Sequence, residues 1–251
     1  MTRIIAKLDV KPPYLVKPIH FEGLRKLGSV KDFARDYYDQ GADEIFYLDI
    51  VASLFQRNFV CDLFHDATEK VFVPVAAGGG LRSVDDLSTV FHSGADKAVL
   101  NTFILQHDPE LIDSAAKAFG SQSVVVNIEA KYLNGEWICY SDCGRIPSNK
   151  RVLEWVDEIQ SRGAGEILLQ SIDKDGKRSG FDLPLIEQVL GRSKIPVVAA
   201  SGAGSTDHIL ELLRVCRPSG IAVASILHNG LVNIREIKEL LKKSGSEQTC
   251  E

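Results

Sequence analysis

The chain has 251 residues, 45% of them hydrophobic and 25% charged, with a formal net charge of −5. That length suits one large α/β domain or two small ones, and an acidic balance without a long basic stretch argues against a nucleic-acid groove or an anionic membrane as the main partner. The opening "MTRIIAKLDVKPP" is too short in apolar residues for a signal peptide and nothing later approaches a membrane span, so the expected location is the cytoplasm.

Along the chain, short β-branched runs alternate with stretches of helical period. Strands are expected at 4–9, 44–50, 73–77, 97–101, 124–129, 166–171, 196–200 and 220–224. Helices are expected between them, at 30–40, 59–71, 84–93, 109–119, 150–162, 183–190, 206–214 and 233–243. Regular strand–helix alternation implies a parallel sheet, because parallel neighbours need a crossover. Eight such units in 251 residues predict a closed (β/α)8 TIM barrel. The rival, an open doubly wound sheet, lacks a G-x-G-x-x-G after the first strand.

The sequence also repeats itself. "RIIAKLDVK" from Arg3 is echoed by "SVVVNIEAK" from Ser123, an offset of 120. "GADEIFYLDI" from Gly41 is echoed by "GAGEILLQSI" from Gly163, and "PVAAGGG" from Pro74 by "PVVAASG" from Pro196, both at 122. Three matches at nearly one offset predict two duplicated half-barrels, about 1–121 and 122–245, closed into a single domain over 1–251. Asp9 and Glu129 then end the first and fifth strands on opposite sides of the barrel mouth, where barrel enzymes do their chemistry. An opposed pair of carboxylates suits general acid–base catalysis; a solvated strand-end acid is the bland reading of either one.

Two glycine-rich turns carry the second signal. Gly78, Gly79 and Gly80 follow the third strand, and Asn101 and Thr102 end the fourth. Their counterparts are Gly202 and Gly204 after the seventh strand, and Ala224 and Ser225 after the eighth. Missing side chains let backbone N–H groups close on a dianion, although each cluster alone is also what a tight turn needs. "SIDKDG", with Asp175 and Gly176, adds a turn on the same face. Two such cups predict an elongated substrate with a phosphate at each end and its reacting middle between Asp9 and Glu129.

These segments, with "DEIFYLDIVAS", "GADKAVLNT", "FGSQSVVV", "GAGEILLQSIDKDGKRSGFD", "SGAG" and "ASILH", make the chain similar to the HisF family, the cyclase subunit of imidazole glycerol phosphate synthase in histidine biosynthesis. The likeness runs from about Arg3 to Lys243. It implies a lyase/cyclase fed with ammonia by a HisH-like glutaminase docked at the N-terminal barrel face. Its substrate would be a bis-phosphorylated ribulosyl compound and its products imidazole glycerol phosphate and an aminoimidazole carboxamide ribotide. Asp9 and Glu129 match the family's base and acid, and Lys17 a retained substrate-binding lysine. Charges at strand starts read, by themselves, as solvated ends; the resemblance makes Arg3, Glu44, Lys97 and Glu166 an ammonia gate and places Asp96 and Gln122 near the docking face.

Three departures touch the chemical centre. The family's second acid is aspartate, and Glu129 is one methylene longer. The mobile loop after the first strand reads "KPPYLVKPIHFEG", in which Pro12, Pro13 and Pro18 restrict φ. The first glycine of the strand-seven turn is Ser201. Diverged family members of this kind resemble ammonia-delivery subunits for a sugar amidotransferase that builds acetamidino groups in surface polysaccharide, and that is the alternative expectation. A sugar-phosphate isomerase would use two opposed acids without a charged ring, and a scaffold would need neither cup.

The remaining features take ordinary readings. Cys61, Cys139, Cys143, Cys216 and Cys250 read as free thiols, and C-x-x-x-C at Cys139 has no second pair, so no metal is expected, nor any cofactor. Trp155 reads as core, His65, His92 and His107 as surface, and His228 follows the eighth strand. The stretch after the fifth strand, with Trp137 and Tyr140, is expected to form a small hairpin over the barrel mouth, and the tail "KKSGSEQTCE" to fray.

Overall fold

The computed structural model describes residues 2–19 and 22–247. In chain order its strands are β1 (Arg3–Lys11), β2 (Tyr14–Ile19), β3 (Glu22–Ser29), β4 (Glu44–Asp49), β5 (Val75–Gly78) and β6 (Lys97–Leu100). The second set is β7 (Val124–Leu133), β8 (Glu136–Ser141), β9 (Ile146–Arg151), β10 (Glu166–Ser171), β11 (Val197–Ala200) and β12 (Gly220–Val223). The helices are α1 (Val30–Asp39), α2 (Cys61–Thr68), α3 (Val84–His92), α4 (Thr102–Gln106) and α5 (Glu110–Phe119), then α6 (Val152–Ser161), α7 (Leu183–Arg192), α8 (Thr206–Val215), α9 (Ser225–His228) and α10 (Ile234–Glu247).

Eight of the strands run parallel in the order β1-β4-β5-β6-β7-β10-β11-β12. Pairing of Arg3 with Gly220 returns β12 to β1, which closes the sheet into a (β/α)8 barrel. Every expected barrel strand and every expected long helix is present, with ends displaced by a few residues. The two halves carry the same element order. α1 and α6 begin at Val30 and Val152, α2 and α7 at Cys61 and Leu183, and α3 and α8 at Val84 and Thr206, a constant spacing of 122 residues. Even the caps repeat: Ser83 Oγ accepts from Asp86 N and Ser205 Oγ from His208 N, each satisfying a first-turn N–H.

Side chains alternate across each strand. One set meets the helices in an outer core that includes Ile4, Leu8, Tyr47, Val126 and Trp155. The other fills the barrel with Ile5, Phe46, Ala76, Val99, Val125, Leu168, Val198 and Ala222.

Two expectations need correction. Of the expected loop at 11–23, His20 and Phe21 lie outside the described residues and the rest enters an antiparallel ribbon: β1 runs to Lys11, Val10 pairs with Leu15, and β2 pairs with β3 from Tyr14↔Ser29 to Ile19↔Glu22. Leu15 and Val16 are buried under it, and the register slips between Lys17 and Ile19, where Pro18 offers no N–H. After the fifth barrel strand the expected hairpin is present and extends further: β7 continues to Leu133 and pairs with β8, which holds Trp137 and Tyr140, and β8 pairs with β9. The tail does not fray at Lys242, because α10 carries on to Glu247, and residues 248–251, with Cys250, lie outside the described residues. No helix among the described residues is long and apolar enough to cross a membrane.

Where the halves join, Gly165 N donates to Val124 O, and a Cβ on Gly165 would stand 2.0 Å from Ser121 O and 2.5 Å from its carbonyl carbon. Backbone cannot step aside as a side chain does. Gly165→Ala should therefore destabilise the fold by roughly 1–3 kcal/mol, measured by urea unfolding; an unchanged midpoint would show that the seam can open without cost.

Candidate active site at the C-terminal mouth

A cavity of about 500 Å³ opens at the C-terminal ends of the strands. Asp9 and Glu129 both line it, together with Gly78, Gly79, Gly80, Asn101 and Thr102. The structure thus brings the two acids and the first glycine turn into one space.

Asp9 is buried and held by two lysines. Lys7 Nζ stands 2.5 Å from Oδ1, and Lys17 Nζ 3.2 Å from Oδ2. Lys17 comes from β2, so the ribbon is what delivers it, and it also reaches Asp175 Oδ1 at 3.2 Å. Burial by itself would raise the Asp9 pKa, but the charges of Lys7 and Lys17 outweigh it and hold the carboxyl at about 2.

Glu129 is equally buried, yet its bonds come from amides. Gly144 N donates to Oε2 at 2.7 Å and Asn127 Nδ2 to Oε1 at 3.3 Å. Burial dominates, the Gly144 N–H and the more distant charge of Lys7 offset only part of it, and the pKa rises to about 7. The pKa values of two carboxylates at matching strand ends are thereby driven apart, the arrangement that separates an acid from a base.

The first glycine turn is shaped by close backbone approach. Gly79 and Gly80 have φ of 122° and 71°, and a Cβ on Gly79 would lie 2.3 Å from Asp49 O. Asp49, at the end of β4, grips Arg57, with Nη1 2.6 Å from Oδ2 and Nη2 2.8 Å from Oδ1. Both side chains face the cavity.

The second turn lies elsewhere. Gly202, Gly204, Ala224 and Ser225 do not line this cavity. The segment after β10 folds over the two glycines: Gly180 N donates to Gly202 O, and Arg178 O would meet a Cβ on Gly204 at 2.2 Å. The Gly204 N–H is directed at His208 Nδ1, 3.2 Å away. Ser201 keeps the left-handed backbone of a glycine, with φ of 72°. Asp175, within the segment after β10, is buried and bonded to Lys17, and Gly176 turns the segment with φ of 70°.

At the opposite end, Arg3, Glu44, Lys97 and Glu166 close a ring of ion pairs. Arg3 meets Glu44 at 2.5 Å and also Glu166; Lys97 meets Glu44 at 2.8 Å and Glu166 at 2.7 Å. Asp96 and Gln122 are exposed near the same end, where Asp96 accepts from Val75 N.

Several cavity residues escaped the sequence reading. Lys7 and Asn127 each sit two residues before an acid, on the same face of the strand, and the repeat could have disclosed them. Gln170, Asp49, Arg57 and Cys143 gave no local signal. His107 is exposed as expected but borders the cavity. His228 does not; its Nδ1 meets Tyr37 Oη at 2.6 Å, and burial first of all drives its pKa down to about 3. Cys61, Cys139, Cys143 and Cys216 are free thiols, and Trp155 is core.

A family model described as "Histidine biosynthesis protein" matches residues 3–233. An imidazole glycerol phosphate synthase subunit HisF of Streptococcus sanguinis is 43% identical over 246 residues, 98% of this chain and 97% of its own. The protein of that name from Thermococcus onnurineus is 43% identical over 244 residues, covering 97% and 96%. That of Legionella pneumophila is 47% identical over 206 residues, covering 82% and 97%.

The raised Glu129 pKa has a stability consequence. Between the ordinary value of 4.5 and about 7 the folded chain keeps a proton that the unfolded chain has released, so rising pH weakens the fold across that window. Glu129→Gln should be more stable than the native chain at pH 8 by roughly 3 kcal/mol, an advantage that vanishes toward pH 4.5. Urea unfolding at both pH values checks it, and equal stabilities at pH 8 would mean that Glu129 titrates normally.

Proposed function

The chain belongs to the HisF family of imidazole glycerol phosphate synthase subunits, and from that premise we propose that it is the cyclase partner of a glutaminase. Ammonia would be used on a bis-phosphorylated ribulosyl substrate to give imidazole glycerol phosphate and an aminoimidazole carboxamide ribotide. The observation that carries the reading is the opposed pair Asp9 and Glu129, one ionised and one holding a proton near neutrality, in a single cavity. Attack of ammonia on a carbonyl needs a proton removed from nitrogen and one supplied to the departing group. In this reading Asp9 takes the first and Glu129 gives the second.

One phosphate would lie against Gly78–Gly80, Asn101 and Thr102, on the cavity wall. The other would use Gly202, Gly204, Ala224 and Ser225, with Asp175 and Gly176 in the covering segment. Lys17, bridging Asp9 and Asp175, would position the substrate between them.

Ammonia would enter through the ring at the other end. Arg3 is the ring member most open to solvent, its side chain 30% exposed against 1% for Glu44, and so is the arm free to swing. Beyond the ring, Ile5, Phe46, Val99 and Leu168 follow the four charges two residues on and pack an apolar layer, through which ammonia would have to pass. Asp96, Gln122 and the largely exposed Phe72, all near this end, would meet the glutaminase.

The decisive test is turnover of the ribulosyl bis-phosphate by the purified subunit with saturating ammonium salt and no partner. Turnover is expected, with a loss on the order of 10²–10⁴-fold in Asp9→Asn. No turnover in the native chain, with activity appearing in Glu129→Asp, would instead assign ammonia delivery to another acceptor, as for a sugar amidotransferase. Lys97→Ala should uncouple glutamine-driven from ammonium-driven turnover when the glutaminase is added; equal effects on both would remove the ring from the ammonia path.

A further inference from the structure

Beside Glu129 the barrel wall carries two amides on neighbouring strands. Asn127 lies on β7 and Gln170 on β10, where Gln170 is in register with Glu129. Both are more than nine-tenths buried, and both line the cavity. Gln170 Nε2 donates to Asn127 Oδ1 at 2.8 Å, and Asn127 Nδ2 donates to Glu129 Oε1 at 3.3 Å. The run ends at Gln170 Oε1, a buried acceptor with no hydrogen-bond donor among the described residues.

The direction of this run is dictated by one fact: an ionised carboxylate only accepts. Asn127 must then turn its NH2 to Glu129 and its oxygen to Gln170, which leaves the buried Gln170 oxygen unpaired in the cavity wall. A protonated Glu129 reverses each step. Gly144 N occupies Oε2, so the proton belongs on Oε1, the oxygen that faces Asn127. From there it donates to Asn127 Oδ1, the Asn127 NH2 turns to Gln170 Oε1, and the Gln170 NH2 turns to the cavity. Each reversal is a 180° amide rotation that changes almost no volume.

We propose that Asn127 and Gln170 are positioning residues that carry the protonation state of Glu129 to the cavity wall. Gln170 presents an acceptor there when Glu129 is ionised and a donor when it is protonated, and in the ionised state it selects a ligand N–H or O–H. A ligand that binds one state better must shift Glu129 toward it by linkage. Ammonium, a pure donor, favours the ionised state. The other groups that bear on Glu129 are Lys7 from β1, Asn101 beyond β6 and Cys143 from the β8–β9 turn, on which Asp9 also acts. Lys7 is tied to Asp9 at 2.5 Å, and the Cys143 thiol, held protonated by burial, donates to Ile50 O at 2.5 Å.

The inference rests on the proposed function only in taking Glu129 as a group that alternates between its two protonation states. Its test is independent of turnover. The full-length subunit, labelled at the glutamate δ-carbon and at side-chain amide nitrogen, is titrated by NMR, with Glu129 assigned through Glu129→Gln. In the native chain the amide signals of Asn127 and Gln170 should titrate with the Glu129 midpoint. Asn127→Leu should raise that midpoint by about one pH unit and Gln170→Met by about half as much. Replacing sodium chloride with ammonium chloride should lower it in the native chain and leave it unmoved in Gln170→Met. Amide signals that stay flat through the native Glu129 titration would overturn the proposal without any variant having to fold. So would an ammonium shift that persists in Gln170→Met. A titrating relay in a chain that turns over no ribulosyl bis-phosphate would sink the proposed function and leave this inference standing.

Discussion

Two carboxylates occupy matching positions in the two halves, and what divides them is where the lysines stand. Lys7 precedes Asp9 by two residues, and its counterpart before Glu129 is Asn127. Lys17 in β2 corresponds, at the 122-residue spacing of the ribbons, to the buried Cys139 in β8. Both cations of the first half thus have neutral counterparts in the second. In a buried setting a charge a few ångströms away outweighs desolvation, whereas amide donors only reduce it. Replacing cations by neutral side chains is enough to give one fold an ionised acid and a protonated one at the same pH.

The barrel makes that difference large. Its interior is layered along each strand by the two-residue period: Arg3, Ile5, Lys7 and Asp9 on β1, and Glu166, Leu168 and Gln170 on β10. The apolar layer of Ile5, Phe46, Val99, Val125 and Leu168 stands between the charged ring below and the acids above. It screens neither end with water, so the field of each ion pair stays local and strong. The same closure explains the glycines. Where Gly79 passes Asp49 O, a side chain would push the strands apart, so the turn that lines the cavity is also a packing requirement.

Periodicity made the barrel legible. Eight buried strands and eight amphipathic helices each display their own repeat over enough residues to be recognised, and the offset between "RIIAKLDVK" and "SVVVNIEAK" exposed the two acids. Elements too short to show a period were missed: α4 has five residues and α9 four. The ribbon β2–β3 was missed because Pro12, Pro13 and Pro18 suggest a loop, while its stability comes from pairing that a local reading does not contain. The path of residues 172–181 over Gly202 and Gly204 was likewise hidden, since it depends on a contact between two distant loops. Charges at strand starts resemble solvated ends until closure brings Arg3, Lys97, Glu44 and Glu166 together.

Charge balance inside the barrel singles out one residue. Arg3 and Lys97 are matched by Glu44 and Glu166, Lys7 and Lys17 by Asp9 and Asp175, and Arg57 by Asp49. Removing one charge of such a pair would strand its partner in a buried site. Of the buried acids among the described residues, Glu129 is the one with no cation bonded to it; its neighbours are the Gly144 N–H, Asn127 and Asn101. A proton can therefore come and go at Glu129 without unbalancing a pair. Of the two acids assigned to the reaction, Asp9 would take its proton against two bonded lysines, whereas Glu129 would exchange one beside amide donors.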